Sequence, residues 1–193
     1  AFAPGKVYVV DSHSASFGIG LLALRGAELA EDGWSGEAIA RELLRVRGQS
    51  ALFLTVDTMD HLLRSGRVSR FRAFLAGVLD LKPILTMDAE GRVIPADRVR
   101  GRQAVLPRVL ELMERAIPKA RQRLRIGVSH VDCPEVAEQV RAAIVQRFQP
   151  MDMFVGPVTP VVATHVGPGA WAVFYQVEDG TPEGAGNKRG APT

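Results

Sequence analysis

Apolar positions along the chain recur with two different periods. Val7-Tyr8-Val9-Val10 is a short β-branched and aromatic run ending at Asp11-Ser12, which predicts a buried strand feeding a loop. Leu21, Leu22, Leu24 and Leu29, with good helix formers between them, predict a helix over residues 17–30. Ser35 stands where a cap is needed for the next helix. There Ile39, Leu43 and Val46 fall at i, i+4 and i+7, while Arg41, Glu42 and Arg45 take the other face. Residues 51–56 return to a strand, and the order strand, two helices, strand suits an α/β layer on a parallel sheet.

After Gly66 the pattern changes. A helix is predicted over 71–81, then two strands, 84–87 and 92–94, around Asp88-Ala89-Glu90-Gly91, a hairpin signal. A long amphipathic helix follows over 104–120. Residues 123–128 alternate polar with apolar, as in a strand with one solvated or partly covered face. Pro134 opens another helix that carries Val136, Val140 and Ile144, and strands are predicted at 151–155 and 172–176. The fold class is α/β: a parallel α/β/α layer over residues 1–66, then an α+β domain with a mostly antiparallel sheet over 67–178. Residues 179–193, rich in glycine and polar residues, read as a disordered tail.

Composition narrows the class further. Of 193 residues, 47% are hydrophobic and 23% charged, which describes a globular chain able to bury a core. No segment approaches the roughly 20 consecutive apolar residues that cross a bilayer, so stable membrane insertion is not expected. The single cysteine, Cys133, excludes an intramolecular disulfide and a cysteine-rich metal site. A formal charge of +3 from scattered arginines does not by itself select nucleic acid as a partner.

Four clusters carry candidate chemistry. The loop from Asp11 to Gly20 contains Ser12, Ser14 and Ser16 and lies between a predicted strand and helix, where backbone N–H groups favour an anion. Gly18, Gly20 and Ala23 match G-x-G-x-x-A, but the first glycine lies too far past Asp11 for a dinucleotide turn; a structural connection explains the loop equally well. Ser65-Gly66-Arg67-Val68-Ser69 pairs a flexible turn with a guanidinium suited to a carboxylate or phosphate, or is a surface arginine before a capping serine. Thr164-His165-Val166-Gly167-Pro168-Gly169 reads as a tight loop holding a histidine, either an anion contact or a satisfied turn residue. Arg98, Arg100 and Arg102, flanked by Arg92 and Arg108, offer phosphate-binding forks or a solvated face. No aromatic residue is interleaved with them, against single-stranded nucleic acid. His130, Asp132 and Cys133 could ligate a metal, although a strand end entering a helix cap accounts for them better.

In this order the motifs VYVVDSHSASFGIG, VDTMDHLLRSGRVS, LKPILTMDAEG, VRGRQA and GPVTPVVATHVGPGAWAVFY resemble the DegV family from about Val7 to Tyr175. The resemblance implies a non-enzymatic, cytoplasmic carrier without cofactor that holds one long-chain fatty acid between two domains. It would present the carboxylate to a dihydroxyacetone-kinase-like fatty acid kinase for phospholipid metabolism. It further implies a carboxylate network of Arg67 and His165, with Ser12, Ser14, Ser16, Gly66, Ser69, Thr164 and Gly167 in loops near the ligand. Arg98, Arg100 and Arg102 would dock the kinase. For the apolar pocket, Phe53, Phe71, Phe74, Leu75, Val78 and Ile84 are candidates by their position near the expected domain boundary. Two features depart from the family pattern. The amino-terminal strands that complete the family's parallel layer and contact the carboxylate are not in this sequence, so the layer is truncated. Ser65 also replaces a glycine. The complete protein is expected to be a monomer. The competing function is a phosphate- or nucleotide-binding enzyme using the Ser/Gly loop 11–20, although no nucleophile–base pair stands at a recognisable spacing. An RNA-binding module using the arginines ranks behind both.

Overall fold

The computed structural model of the protein describes residues 7–66 and 80–180. Its elements, in chain order, are α1 (Phe17–Glu31), α2 (Gly36–Arg47), β1 (Ser50–Thr55), α3 (Asp60–Arg64), β2 (Leu81–Met87), β3 (Val93–Arg100), a 3-10 turn (Arg102–Ala104), α4 (Val105–Ala116), β4 (Leu124–His130), α5 (Pro134–Phe148), β5 (Asp152–Pro157), α6 (Pro160–Val166) and β6 (Trp171–Val177). The six strands form one sheet in the order β3-β2-β1-β6-β4-β5. β4 and β5 are parallel and joined through α5, while the other neighbours are antiparallel. The mixed α/β class and the mostly antiparallel sheet are thus as the sequence predicts.

Strand periodicity divides the core. Phe53, Ile84, Ile126, Val128, Val173 and Tyr175 point to one face and pack against α4 and α5 through Val109, Met113, Val140 and Ile144. Their neighbours Leu52, Ala172 and Phe174 point to the opposite face and meet Leu21 of α1. On that same side Leu62 of α3 and Val166 of α6 pack with Leu85. Local signals set the helix ends. The Ser35 hydroxyl accepts the Ala38 N–H at 3.3 Å to start α2, and Pro134 starts α5 at a position where no N–H is needed.

Several expectations change. Val7–Val10 form no strand, and Val9 is 91% exposed. Residues 50–55, assigned from the sequence to a parallel layer, are instead a central strand antiparallel to both neighbours, continuous with the later part of the chain. The predicted helix at 71–81 falls largely outside the described residues, and Leu81 already begins β2. α4 stops at Ala116, with Ile117 extended, because Pro118 disfavours helical backbone before it. β4 has no solvated face. All seven of its residues are buried, because α1 covers the side that carries Arg125. Asp179 is not part of a loose tail: its carboxylate accepts the backbone N–H groups of Gln122 and Arg123, at 2.9 and 2.7 Å. Residues 181–193 lie outside the described residues.

Candidate functional site

The face of the sheet turned toward α1, α3 and α6 holds a cavity of about 490 Å³. Its floor is made by alternate residues of the central strands, Leu52 and Leu54 from β1 and Ala172 and Phe174 from β6, with Val131 and Val162 at its sides. The small Ala172 leaves the space open: its strand partners are Leu54 and Ser129, and no large side chain rises between them. At the end where β1 gives way to α3, the lining includes Leu62, Gly66 and His165.

His165 is on the last turn of α6, a helix that the sequence read as a loop. Its Nδ1 is buried without a hydrogen-bond partner among the described residues, an arrangement that costs free energy unless a ligand or water completes it. α6 ends at Gly167, whose φ of 78° puts it in the left-handed region, and the His61 ring lies so close that a Cβ could not be accommodated there. Gly66, with φ 72°, ends α3 in the same manner and brings bare backbone to the cavity.

The predicted site residues separate on inspection. His165, Gly66 and Ser16 line the same cavity, whereas Ser12 and Ser14 line a smaller one of about 300 Å³ and are tied to each other, the Ser14 N–H donating to the Ser12 hydroxyl at 3.2 Å. Thr164 is exposed and returns its hydroxyl to the Val161 carbonyl at 2.8 Å, and Gly167 is buried beside His61. Phe53 and Ile84 do not line the cavity. Their place in the strand register turns them to the α4 and α5 side, while Leu52 and Leu54 face the cavity instead. Arg67, Ser69, Phe71, Phe74, Leu75 and Val78 lie outside the described residues. Met87, Val131 and Phe174 were missed in the sequence; period-2 alternation along β2 and β6 marks Met87 and Phe174 only once the buried face of each strand is known, and Val131 lies just past the end of β4.

At the start of α1 the N–H groups of Gly18, Ile19 and Gly20 donate to the carbonyls of Ala15 and Ser16 at 2.9 to 3.2 Å, so these three are not free to hold an anion. Arg98 and Arg100 project from the edge strand β3 and are exposed. Arg102 is paired with Asp57, Arg92 with Asp88 and Glu90, and Arg108 with Asp97 and Glu111. Arg92, Arg102 and Arg108 therefore carry local counter-charges. At the β4–α5 junction the Cys133 N–H donates to His130 Nδ1 at 3.3 Å, a capping contact, and burial pushes the Cys133 thiol pKa up, away from a reactive thiolate. Among the described residues no group of His, Cys, Asp or Glu is arranged to hold a metal ion.

A buried ionic cluster had no sequence signal. Arg125, with a 2% exposed side chain, reaches Asp152 at 2.8 Å and Glu178 at 3.2 Å and also pairs with Glu28. Arg25 lies 3.7 Å from Glu42 and 3.6 Å from Glu178, and Arg45 completes the pairing of Glu42 at 2.7 Å. Burial opposes the charge on Arg125, but Glu28, Glu178 and Asp152 outweigh it and hold its pKa above the ordinary value. The cluster joins α1 and α2 to the sheet beside the cavity.

Fold and cavity together define a mixed α/β protein with an apolar pocket sized for a small molecule. The chain belongs to the DegV family, whose model, described as an uncharacterised protein family, matches residues 1–178. A DegV domain-containing protein of Deinococcus radiodurans is 38% identical over 173 residues, covering 89% of this chain and 60% of that protein. Among solved structures, a DegV family protein from Thermus thermophilus described as fatty acid binding superposes with a TM-score of 0.83 at 34% identity, covering 90% of this chain and 62% of that one. Bacillus subtilis DegV, described as a fatty acid binding protein, gives a TM-score of 0.77 at 29% identity, covering 88% and 60%. The chain spans about 60% of the length of the curated relatives it matches. No described helix is long and apolar enough to cross a membrane.

Proposed function

We propose that the protein binds a long-chain fatty acid in the cavity on the α1 side of the sheet. The tail runs over Leu54, Ala172, Leu52 and Phe174, and the carboxylate sits at the Gly66–His165 end. The observation that carries this reading is an apolar cavity of about 490 Å³ whose lining includes His165 at one end. Each methylene moved from water onto such walls contributes about 0.8 kcal/mol, and a carboxylate tolerates burial only beside donors or positive charge. Arg67, the next residue after Gly66, supplies that charge in this reading, and Ser16 a further polar contact. The description of the Thermus and Bacillus relatives as fatty acid binding supports the same assignment.

The protein is in this reading a cytoplasmic, monomeric carrier and not the catalyst. It presents the carboxylate to a dihydroxyacetone-kinase-like fatty acid kinase that feeds phospholipid synthesis, and Arg98, Arg100 and Arg102 form the surface for the kinase. The exposure of Arg98 and Arg100 on an edge strand supports a docking role. Mass spectrometry of the purified protein tests the central claim. A co-purified long-chain fatty acid, at one per chain and depleted in His165→Ala, is expected. Neither co-purified lipid nor any thermal shift on fatty acid titration would sink it.

A further inference from the structure

Two cavities lie along one face of the sheet. Successive rungs across β1, β6 and β4 read Leu54–Ala172–Ser129, then Leu52–Phe174–Gly127, then Ser50–Gln176–Arg125. Leu54, Ala172, Leu52 and Phe174 line the larger cavity, and Ser50 and Gln176 line the smaller one of about 300 Å³. The face therefore turns from apolar to polar within a single rung, a step of roughly 7 Å along the strands.

The third rung is held firmly. Gln176 is 1% exposed, and its Nε2 donates to the Leu21 carbonyl at 3.2 Å and to Glu178 at 2.8 Å, while Arg125 is fixed by its carboxylates. The second rung is held as well. The Phe174 ring meets Phe17 edge-on at 6.4 Å, and the Thr86 hydroxyl donates to the Leu52 carbonyl at 2.7 Å, locking β2 to β1.

Leu52 and Met87 line both cavities and so stand between them. Leu52 is buried, whereas Met87 is only half-buried at the end of β2, on an unbranched side chain with three rotatable bonds. We infer that Met87 determines chain length: together with Leu52 it forms the end wall that sets the longest acyl chain the pocket accepts. Its displacement joins the two cavities and admits longer chains. This rests on the fatty acid reading above and adds the residue that selects among fatty acids.

Competition of a saturated fatty acid series against a fluorescent fatty acid probe tests the inference on the purified protein. Affinity in the wild type should rise with each added carbon to an optimum and then fall. Met87→Ala, which removes three side-chain heavy atoms, should move the optimum up by about two to three carbons; Met87→Phe should move it down. Leu52→Ala should also move it up, which keeps the test decisive if Met87→Ala does not fold by circular dichroism. A wild type that binds fatty acids, with the same optimum in all variants or with affinity lowered equally at every length, overturns the chain-length role alone. A wild type that binds no fatty acid overturns both readings.

Discussion

Ala172→Leu puts the proposed pocket to a quantitative test. Ala172 is 5% exposed on the central strand β6, between Leu54 and Ser129, and its Cβ points into the cavity. Leucine there adds three carbons that fill space now open to a ligand, so the folded protein should lose little stability. A bound acyl chain, by contrast, must give up contact over about three methylenes. At about 0.8 kcal/mol each this amounts to about 2.4 kcal/mol, or roughly 50-fold weaker binding. Isothermal titration with a long-chain fatty acid measures the change, and urea denaturation establishes that the fold is intact. An affinity within about twofold of wild type, with stability unchanged, would refute the placement of the tail over Ala172.

Arg125→Met should cost about 3–5 kcal/mol in urea denaturation, since it strands Glu178 in the interior with one cation fewer; adding Glu178→Leu should recover a good part of the loss, and no recovery would mean the cluster is not energetically coupled. Asp88 should give the hairpin a dependence on acid. The Arg92 backbone N–H is the first cause holding its carboxyl below the ordinary value. Because the folded value is the lower one, this stabilisation is fully present above the unfolded pKa of about 4 and fades as pH falls through the folded one. Asp88→Asn should therefore flatten the acid limb of a stability–pH profile, and an unaltered limb would count against the assignment.

Most helices and strands after residue 15 were legible because they carry strong local signals. Ser35 and Pro134 mark helix starts through the geometry of the first turn, and Ile39, Leu43 and Val46 draw one helical face. Val7–Val10 show the limit of such signals. The run has every property of a buried strand, yet a strand exists only when a neighbour takes its hydrogen bonds, and here Val9 is exposed and no strand among the described residues pairs with the run. β4 failed in the opposite direction. Its alternating polar residues suggested one face solvated or partly covered, and only the tertiary arrangement reveals that Glu28, Asp152 and Glu178 converge on Arg125 from separate elements and bury it fully.

The candidate site was legible as a set of polar positions but not as a surface. His165 and Gly66 stood out because a histidine between turn residues and a glycine before an arginine are informative by type. The apolar walls are ordinary leucine, alanine and phenylalanine, whose role depends on which way each strand faces. Phe53 is a candidate by its closeness to an expected boundary, yet Leu52 and Leu54 form the wall, because moving one residue along a strand reverses the face. That reversal is settled by β6: its Ala172 and Phe174 register with Leu54 and Leu52 across more than a hundred intervening residues, a relation no local pattern contains. Tail recognition in this fold is therefore a property of register, and a substitution that slips β1 against β6 by one residue would exchange the pocket wall for the core.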